Sequence, residues 1–283
     1  MKPNNLSHKP QSPFDIATYL LADEASTWGN LGDWQEASDY VEACRAHARA
    51  LGRVCQLKTG DRVLDLAFGW GASLALWGEE FQVSRVDGIE LRQHCVDWVK
   101  AQKAPATGSI MQADWHECFR GGKPAAIFPE LGVYDAIVCV DALYHCSNLD
   151  ELLLACNLLL KAQGHFAATT LIHVPQQRSK WWQPLLELAF ALARIRPKAQ
   201  ISQDQLVDIF VQHGFHAPVV QWLDQPVLLG FASFIQRRRR QLPLRQRLSL
   251  SWLKIAATAW LCRLALASGE WRYALLHAQT KQP

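Results

Sequence analysis

From Asp61 onward, short β-branched runs alternate with longer stretches at helical spacing, which predicts a sheet assembled from βα units. Residues 62–66 form the first run, closed by Ala67-Phe68-Gly69-Trp70-Gly71 and followed by a helical pattern over 72–80. The second, 83–89, ends at Glu90 and leads to a helix over 93–102, and the third, 109–112, ends at Asp114-Trp115. The fourth, 134–140, is almost wholly apolar, as a strand covered on both faces should be, and ends at Asp141. Ser147 and Asn148, with Asp150 and Glu151, make overlapping capping-box patterns that open a leucine-rich helix to Lys161, and 165–171 make a fifth strand after Gly164.

The rhythm then changes. Residues 177–199 open with Trp181 and Trp182 and carry leucines at helical spacing; the stretch is too long for an ordinary connection and predicts an inserted helical lid. Beyond it the pattern predicts a helix over 203–212 ended by Gly214, a strand over 217–222, helices over 226–238 and 248–267, and a last strand over 271–278.

Composition narrows the classes. A chain of 283 residues, 49% apolar and 19% charged, builds one large or two small cores and is not disordered. Its 29 basic and 26 acidic side chains leave +3, too little to make phosphate-backbone binding the expectation. No run of 18 or more uncharged apolar residues occurs, Lys254 and Arg263 bracketing 255–262, so no stable membrane insertion is expected. Residues 1–13 are polar and proline-bearing and lack a signal's apolar core, which predicts a cytoplasmic protein with reduced thiols. The eight cysteines have no C-x-x-C spacing and read as small buried hydrophobes, with no metal site expected. Twelve tryptophans suit either a core or the walls of a pocket for a greasy ligand.

The chemistry concentrates at the ends of the first strands. Gly69 and Gly71, where a strand turns into a helix, let a ligand approach the backbone, and Glu90 at the next strand's tip can accept from both hydroxyls of a ribose. The pair predicts an adenosine-type ligand. A phosphate is disfavoured: the loop lacks the Gly-Lys-Ser/Thr of nucleotide-triphosphate sites and the third small residue of dinucleotide sites, and it carries Asp65. A carboxylate there suits the ammonium and sulfonium of S-adenosylmethionine.

From about Gly60 to Leu171 the chain resembles the class I S-adenosylmethionine-dependent methyltransferases. Residues 63–71 are similar to the family's first motif, Gly88-Ile89-Glu90 to its ribose motif, Gln112-Ala113-Asp114-Trp115 to its adenine motif and 134–144 to its fourth. Shorter stretches, Trp28 to Trp34 with the helix over 40–54, and 224–234 and 269–276, are similar to the small-molecule group that contains tocopherol, sterol, glycine-betaine and cyclopropane-fatty-acid enzymes. The resemblance implies an α/β fold: a Rossmann-like, doubly wound, mostly parallel seven-stranded sheet with helices on both faces and a helical lid. Residues 1–59 are then an N-terminal helical cover, 60–172 the S-adenosylmethionine-binding core, 173–200 the lid and 201–283 the rest of the core with inserted helices.

Position by position, the resemblance implies that Asp65 organises the loop and the ammonium, that Gly69 and Gly71 give backbone room and that Glu90 holds the ribose. Asp114 accepts from the adenine amino group, Leu91 and Trp115 cover the ring, and Val140 and Asp141 lie at the methyl-donor end. The family's first loop glycine is Ala67 here, a methyl-bearing residue expected at negative φ. His145, after Tyr144 at the fourth strand's edge, is the candidate base or orienting group, with capping of the next helix as the structural alternative, and Tyr144 is read as packing under the cofactor. His94, His116 and His173 have no evident partners in the sequence. Trp181 and Trp182, opposed by Trp28 and Trp34, are candidate walls of an acceptor pocket, although their spacing is equally that of a packing face. Arg237, Arg238, Arg239 and Arg240 read as a solvated helix end or as a peripheral contact for an anionic lipid surface or an acidic acceptor.

The expected activity is methyl transfer by in-line displacement to oxygen, nitrogen or carbon of a small, hydrophobic acceptor, by a monomer or homodimer. Two other classes remain. A nucleic-acid or protein methyltransferase is disfavoured by the low charge and by Asp141-Ala142-Leu143-Tyr144 in place of an Asn-Pro-Pro-Tyr motif, so no nucleic-acid partner is expected. A non-catalytic module would keep the fold while Ala67 excludes the cofactor.

Overall fold

The computed structural model describes residues 16–23, 26–102, 104, 106–128, 130, 132–174, 190, 191, 195 and 201–281. Most of the expected lid, including Trp181 and Trp182, lies outside these residues.

Seven strands form one sheet: β1 (Arg62–Leu66), β2 (Arg85–Glu90), β3 (Thr107–Gln112), β4 (Tyr134–Cys139), β5 (Leu160–His173), β6 (Val219–Trp222) and β7 (Trp271–Gln279). Their spatial order is β3-β2-β1-β4-β5-β7-β6. The first five are parallel, and β7 runs antiparallel to both β5 and β6. The doubly wound α/β class expected from the sequence is the observed one.

Alternation along the strands divides the interior into two cores. Val63, Ala136, Val138, Ala167, Tyr273 and Leu275 face one side, where α1 (Tyr40–Val54), α2 (Ala72–Phe81) and α3 (Gln93–Gln102) pack. Leu64, Leu66, Ile137, Cys139, Phe166 and Leu276 face the other, under α4 (Trp115–Cys118), α5 (Leu149–Leu159) and α6 (Gln203–Gln212). Helix starts follow local chemistry: Asp39, Asn148 and Ser202 accept from backbone N–H groups of the first turn, Ser202 in a full capping box with Gln205.

The C-terminal third departs from the sequence reading. In place of one helix over 226–238 there is a π-helical segment, Asp224–Leu229, followed by α7 (Gly230–Gln241), a short α8 (Leu244–Arg247) and α9 (Leu250–Ser268). Asp224 explains the wide turn. Its Oδ1 accepts from Tyr273 N at 2.7 Å and its Oδ2 from Arg272 Nε and Nη2 at 2.8 and 2.6 Å, which pins the segment to β7. Helix α9 is long and apolar enough to cross a membrane by length and composition, although it carries Lys254 and Arg263.

Candidate cofactor and active site

Strand order reverses direction of growth between β1 and β4, and in open α/β sheets ligands bind outside the carboxyl ends of strands at such a switch point. Asp65 sits there, in register with Gly88 on one side and Val138 on the other. Carboxylates recur along this edge: Asp65 in β1, Glu90 ending β2, Asp114 after β3 and Asp141 after β4.

Asp65 is fully buried. Its Oδ2 accepts from Trp77 Nε1 at 2.7 Å, while its Oδ1 has no partner among the described residues. Burial pushes its pKa up to about 7, against the hydrogen bond from Trp77 and the nearby Ser73 hydroxyl. The turn that follows is left-handed at three of five residues: Ala67 (φ 60), Gly69 (φ 61) and Gly71 (φ 83). Ala67 thus corrects the expected negative φ. Its N–H is held by Ile89 O at 2.8 Å, and the turn geometry prevails over a strain of ~1 kcal/mol. Gly71 also serves packing: a Cβ there would meet Val99 Cγ2 at 2.4 Å, so its missing side chain lets α3 pack against the loop. Gly69 borders the edge itself, with Arg92 Nη2 at 3.4 Å from where its Cβ would lie.

Glu90 is buried, its Oε2 accepting from Gly69 N at 2.8 Å and its Oε1 from Arg92 N and Nε at 3.0 and 2.8 Å. The loop and the acid are therefore joined as the sequence order suggested, and Arg92, which that reading missed, neutralises the acid. Asp114 N-caps α4, accepting from His116 N and, at 2.9 Å, from His116 Nδ1, yet its side chain stays 41% exposed. His116 has partners after all: its Nε2 accepts from Ser147 N at 3.1 Å, which assigns the proton to Nδ1. Leu91 is exposed at this end, and the Trp115 ring meets His116 edge-on.

The β4 end gathers residues from far apart in the chain. Asp141, at φ 54, accepts at Oδ2 from Leu31 N at 2.7 Å and at Oδ1 from Tyr273 OH at 2.5 Å, and the Tyr144 hydroxyl lies near enough to feel its charge. Thr169 Oγ1 accepts from Asp141 N at 2.9 Å and lies 3.2 Å from His47 Nε2, which is 3.5 Å from Tyr273 OH. Burial raises Asp141 to about 6 and lowers His47 to about 3; Tyr144 and Tyr273 are pushed well above the phenol range, first by burial and then by the Asp141 charge. His47 Nδ1 has no partner among the described residues. His145 stacks edge-on against Tyr144 in a 3-10 turn, Leu143–His145, and Val140 packs beside the first core.

His47, Thr169 and Tyr273 were not singled out in the sequence. The one signal was a lone histidine on the apolar stripe of α1, among Tyr40, Cys44, Ala48 and Leu51. Of the predicted aromatic walls, Trp28 is buried in the first core, and Trp34 stacks on Phe234 with centroids 4.3 Å apart while its Nε1 donates to Leu31 O. Trp34 fixes the segment whose Leu31 N reaches Asp141, so its described contacts are with the fold.

Residues 35–217 match a family model described as a methyltransferase domain. The chain belongs to this methyltransferase family. Among relatives of the methyltransferase, erythromycin 3''-O-methyltransferase of Saccharopolyspora erythraea is 36% identical over 89 residues, a match that spans only 29% of each chain. The cyclopropane synthase MmaA2 of Mycobacterium tuberculosis superposes with a TM-score of 0.66 at 17% identity, covering 88% of this chain and 89% of the other. Geranyl diphosphate C-methyltransferase of Streptomyces coelicolor A3(2), solved with S-adenosyl-L-homocysteine, gives 0.62 at 16% identity over 88% and 83%. At these identities the two structures establish that the methyltransferase shares their fold.

Proposed function

We propose that the chain moves a methyl group from S-adenosylmethionine to a small, hydrophobic acceptor. The observation that carries this reading is Asp65, a fully buried carboxyl with one oxygen unpartnered among the described residues, beside a left-handed glycine turn at the sheet's switch point. An orphaned acidic oxygen there fits an ammonium, and the row of carboxylates suits a cationic ligand and disfavours a phosphate.

In this reading Asp65 and the Ala67–Gly71 turn hold the methionine end. Glu90 takes the ribose hydroxyls when Arg92 yields part of its hold on the carboxylate, Asp114 accepts from the adenine amino group, and Leu91 and Trp115 cover the ring. Val140 and Asp141 stand at the donor end. The bound nucleoside supplies a methyl carbon already activated by sulfonium, so the protein's task is to align the acceptor, exclude water and remove a proton. For a hydroxyl acceptor, the leaving proton passes to the Tyr144 oxygen as the Tyr144 proton passes to Asp141, which titrates near 6 and is ionised at neutral pH. Tyr273 and Leu31 N hold Asp141 in place, and His145 orients Tyr144. The name of the matched O-methyltransferase supports oxygen as the accepting atom.

Isothermal titration of the full chain with S-adenosylhomocysteine tests the cofactor, with saturable heat expected. Incubation with methyl-labelled S-adenosylmethionine and a panel of hydrophobic alcohols, phenols and amines tests transfer. A specific observation also favours the non-catalytic module, because Arg92 already occupies both Glu90 oxygens and Ala67 adds a methyl at the turn. Absence of heat with S-adenosylhomocysteine would select that second reading.

A further inference from the structure

Between Asp224 and Glu270 the chain carries eight cations, Arg237, Arg238, Arg239, Arg240, Arg245, Arg247, Lys254 and Arg263, and no acidic residue, so the rest of this +3 chain is net acidic. Arg238, Arg247 and Arg263 serve the fold. Arg238 donates to Leu20 O and Asp23, and Arg247 to the carbonyls of Leu242 and Arg240. Arg237, Arg239, Arg240 and Arg245 are exposed and form no ion pair among the described residues.

Helix α9 is apolar on two sides. Trp252, Ile255, Ala259 and Cys262 are buried in the first core, with Cys262 close enough to Asp141 to feel its charge. The opposite face holds Leu250, Leu253 and Trp260, which are 85%, 52% and 47% exposed, together with exposed Ala257. At 100° per residue these four fall within an arc of about 80°. Leu244 and Leu248, both 68% exposed, extend the apolar area into the turn before the helix. Arg263 Nη2 donates to Gln236 Oε1 at 2.7 Å, tying the flank of α9 to the part of α7 where the arginine run begins.

We propose that the outer face of α9 and the arginines of α7 and α8 form a surface that rests on an anionic lipid bilayer. Leu250, Leu253 and Trp260 enter the headgroup boundary while Arg237, Arg239, Arg240 and Arg245 meet lipid phosphates. Charge complementarity selects this occupant. A second copy docked on the same patch would set one cationic surface against another, since a two-fold interface presents the same residues to each other. A nucleic acid would use the arginines and leave the leucines in water. The inner face of α9 stays packed on the protein, so the helix lies along the membrane and does not cross it.

The test is sedimentation of the full chain with vesicles of phosphatidylcholine alone or mixed with phosphatidylglycerol, at low and high salt. The expected result is partition to the mixed vesicles that weakens with salt. It should fall on the order of 1000-fold in a variant carrying Arg237→Gln, Arg239→Gln, Arg240→Gln and Arg245→Gln. A variant carrying Leu253→Ser and Trp260→Ser should lose roughly tenfold, through its apolar contact. All six positions are exposed, and unchanged thermal melting of each variant shows that the fold is kept. Equal binding to both vesicle types, or none to either, overturns the proposal. Arginine-dependent binding that ignores Leu253→Ser and Trp260→Ser and is competed by bulk RNA gives the surface to nucleic acid. A dimer in analytical ultracentrifugation that Trp260→Ser dissolves gives it to a second copy.

Discussion

The two ends of the carboxylate edge are built in opposite ways. From Asp65 to Trp115 the groups come from one continuous stretch, and their hydrogen bonds connect neighbouring strands and the loops between them. At the β4 end, Asp141 bonds to Leu31 and Tyr273, 110 and 132 residues away, and Thr169 meets His47 across 122 residues. One end is a motif and the other an assembly. The first can be read as a string, whereas the second exists only once the N-terminal segment and the last strand have docked.

That contrast makes stability the sharpest probe at the assembled end. Asp141→Ala leaves the Leu31 N–H and the Tyr273 hydroxyl without their acceptor. It is expected to cost about 3 to 5 kcal/mol, read as a lower urea midpoint. A loss below about 1 kcal/mol would mean that water replaces the carboxylate and that the β4 end is not held together by it. Glu90→Gln should act mainly on binding, because it keeps the volume and one acceptor oxygen. We expect a loss of about 2 to 3 kcal/mol in S-adenosylhomocysteine affinity by calorimetry, with a smaller change in melting temperature. An unchanged affinity would remove the ribose role.

Asp65 gives the motif end a pH dependence of its own. Its folded pKa of about 7 lies above the unfolded carboxyl value, so the folded state holds the extra proton, and stability falls as pH rises from about 4 to 7. Binding of a cation runs the other way, since it needs the ionised form. Affinity for S-adenosylhomocysteine should therefore rise about tenfold from pH 6 to pH 8 and become flat in Asp65→Asn. A pH-independent wild type would detach Asp65 from the ammonium. The smallest effect is expected at Ala67, where Ala67→Gly relieves the left-handed strain and should raise stability by about 1 kcal/mol, or ~2 to 4 °C in melting temperature.

The same contrast explains what the sequence made legible. Strands β1 to β5 and the order of loop and Glu90 follow from local alternation and short spacing, while the doubly wound class comes from the family resemblance that those motifs carry. Positive φ at Ala67 was not legible, because the requirement comes from the turn joining β1 to α2 and not from the residue's own preference. His47, Thr169 and Tyr273 each look like an ordinary member of a packed helix or strand, and only the sheet order brings them together. The π-helical segment hid for a related reason: Asp224 reads as a helix start, while its bonds to Arg272 and Tyr273 lie beyond any local window. Trp34, for which a packing face was the open alternative, stacks on Phe234.

Strand β7 slots between β5 and β6 although both precede it in the chain. During synthesis, β5 therefore leaves the ribosome exit with one edge bare, and it stays so until some 98 residues later its antiparallel neighbour emerges. Chaperone capture or pairing with another nascent chain has its opening in that interval, while the half built on β1 to β4 can already be folded.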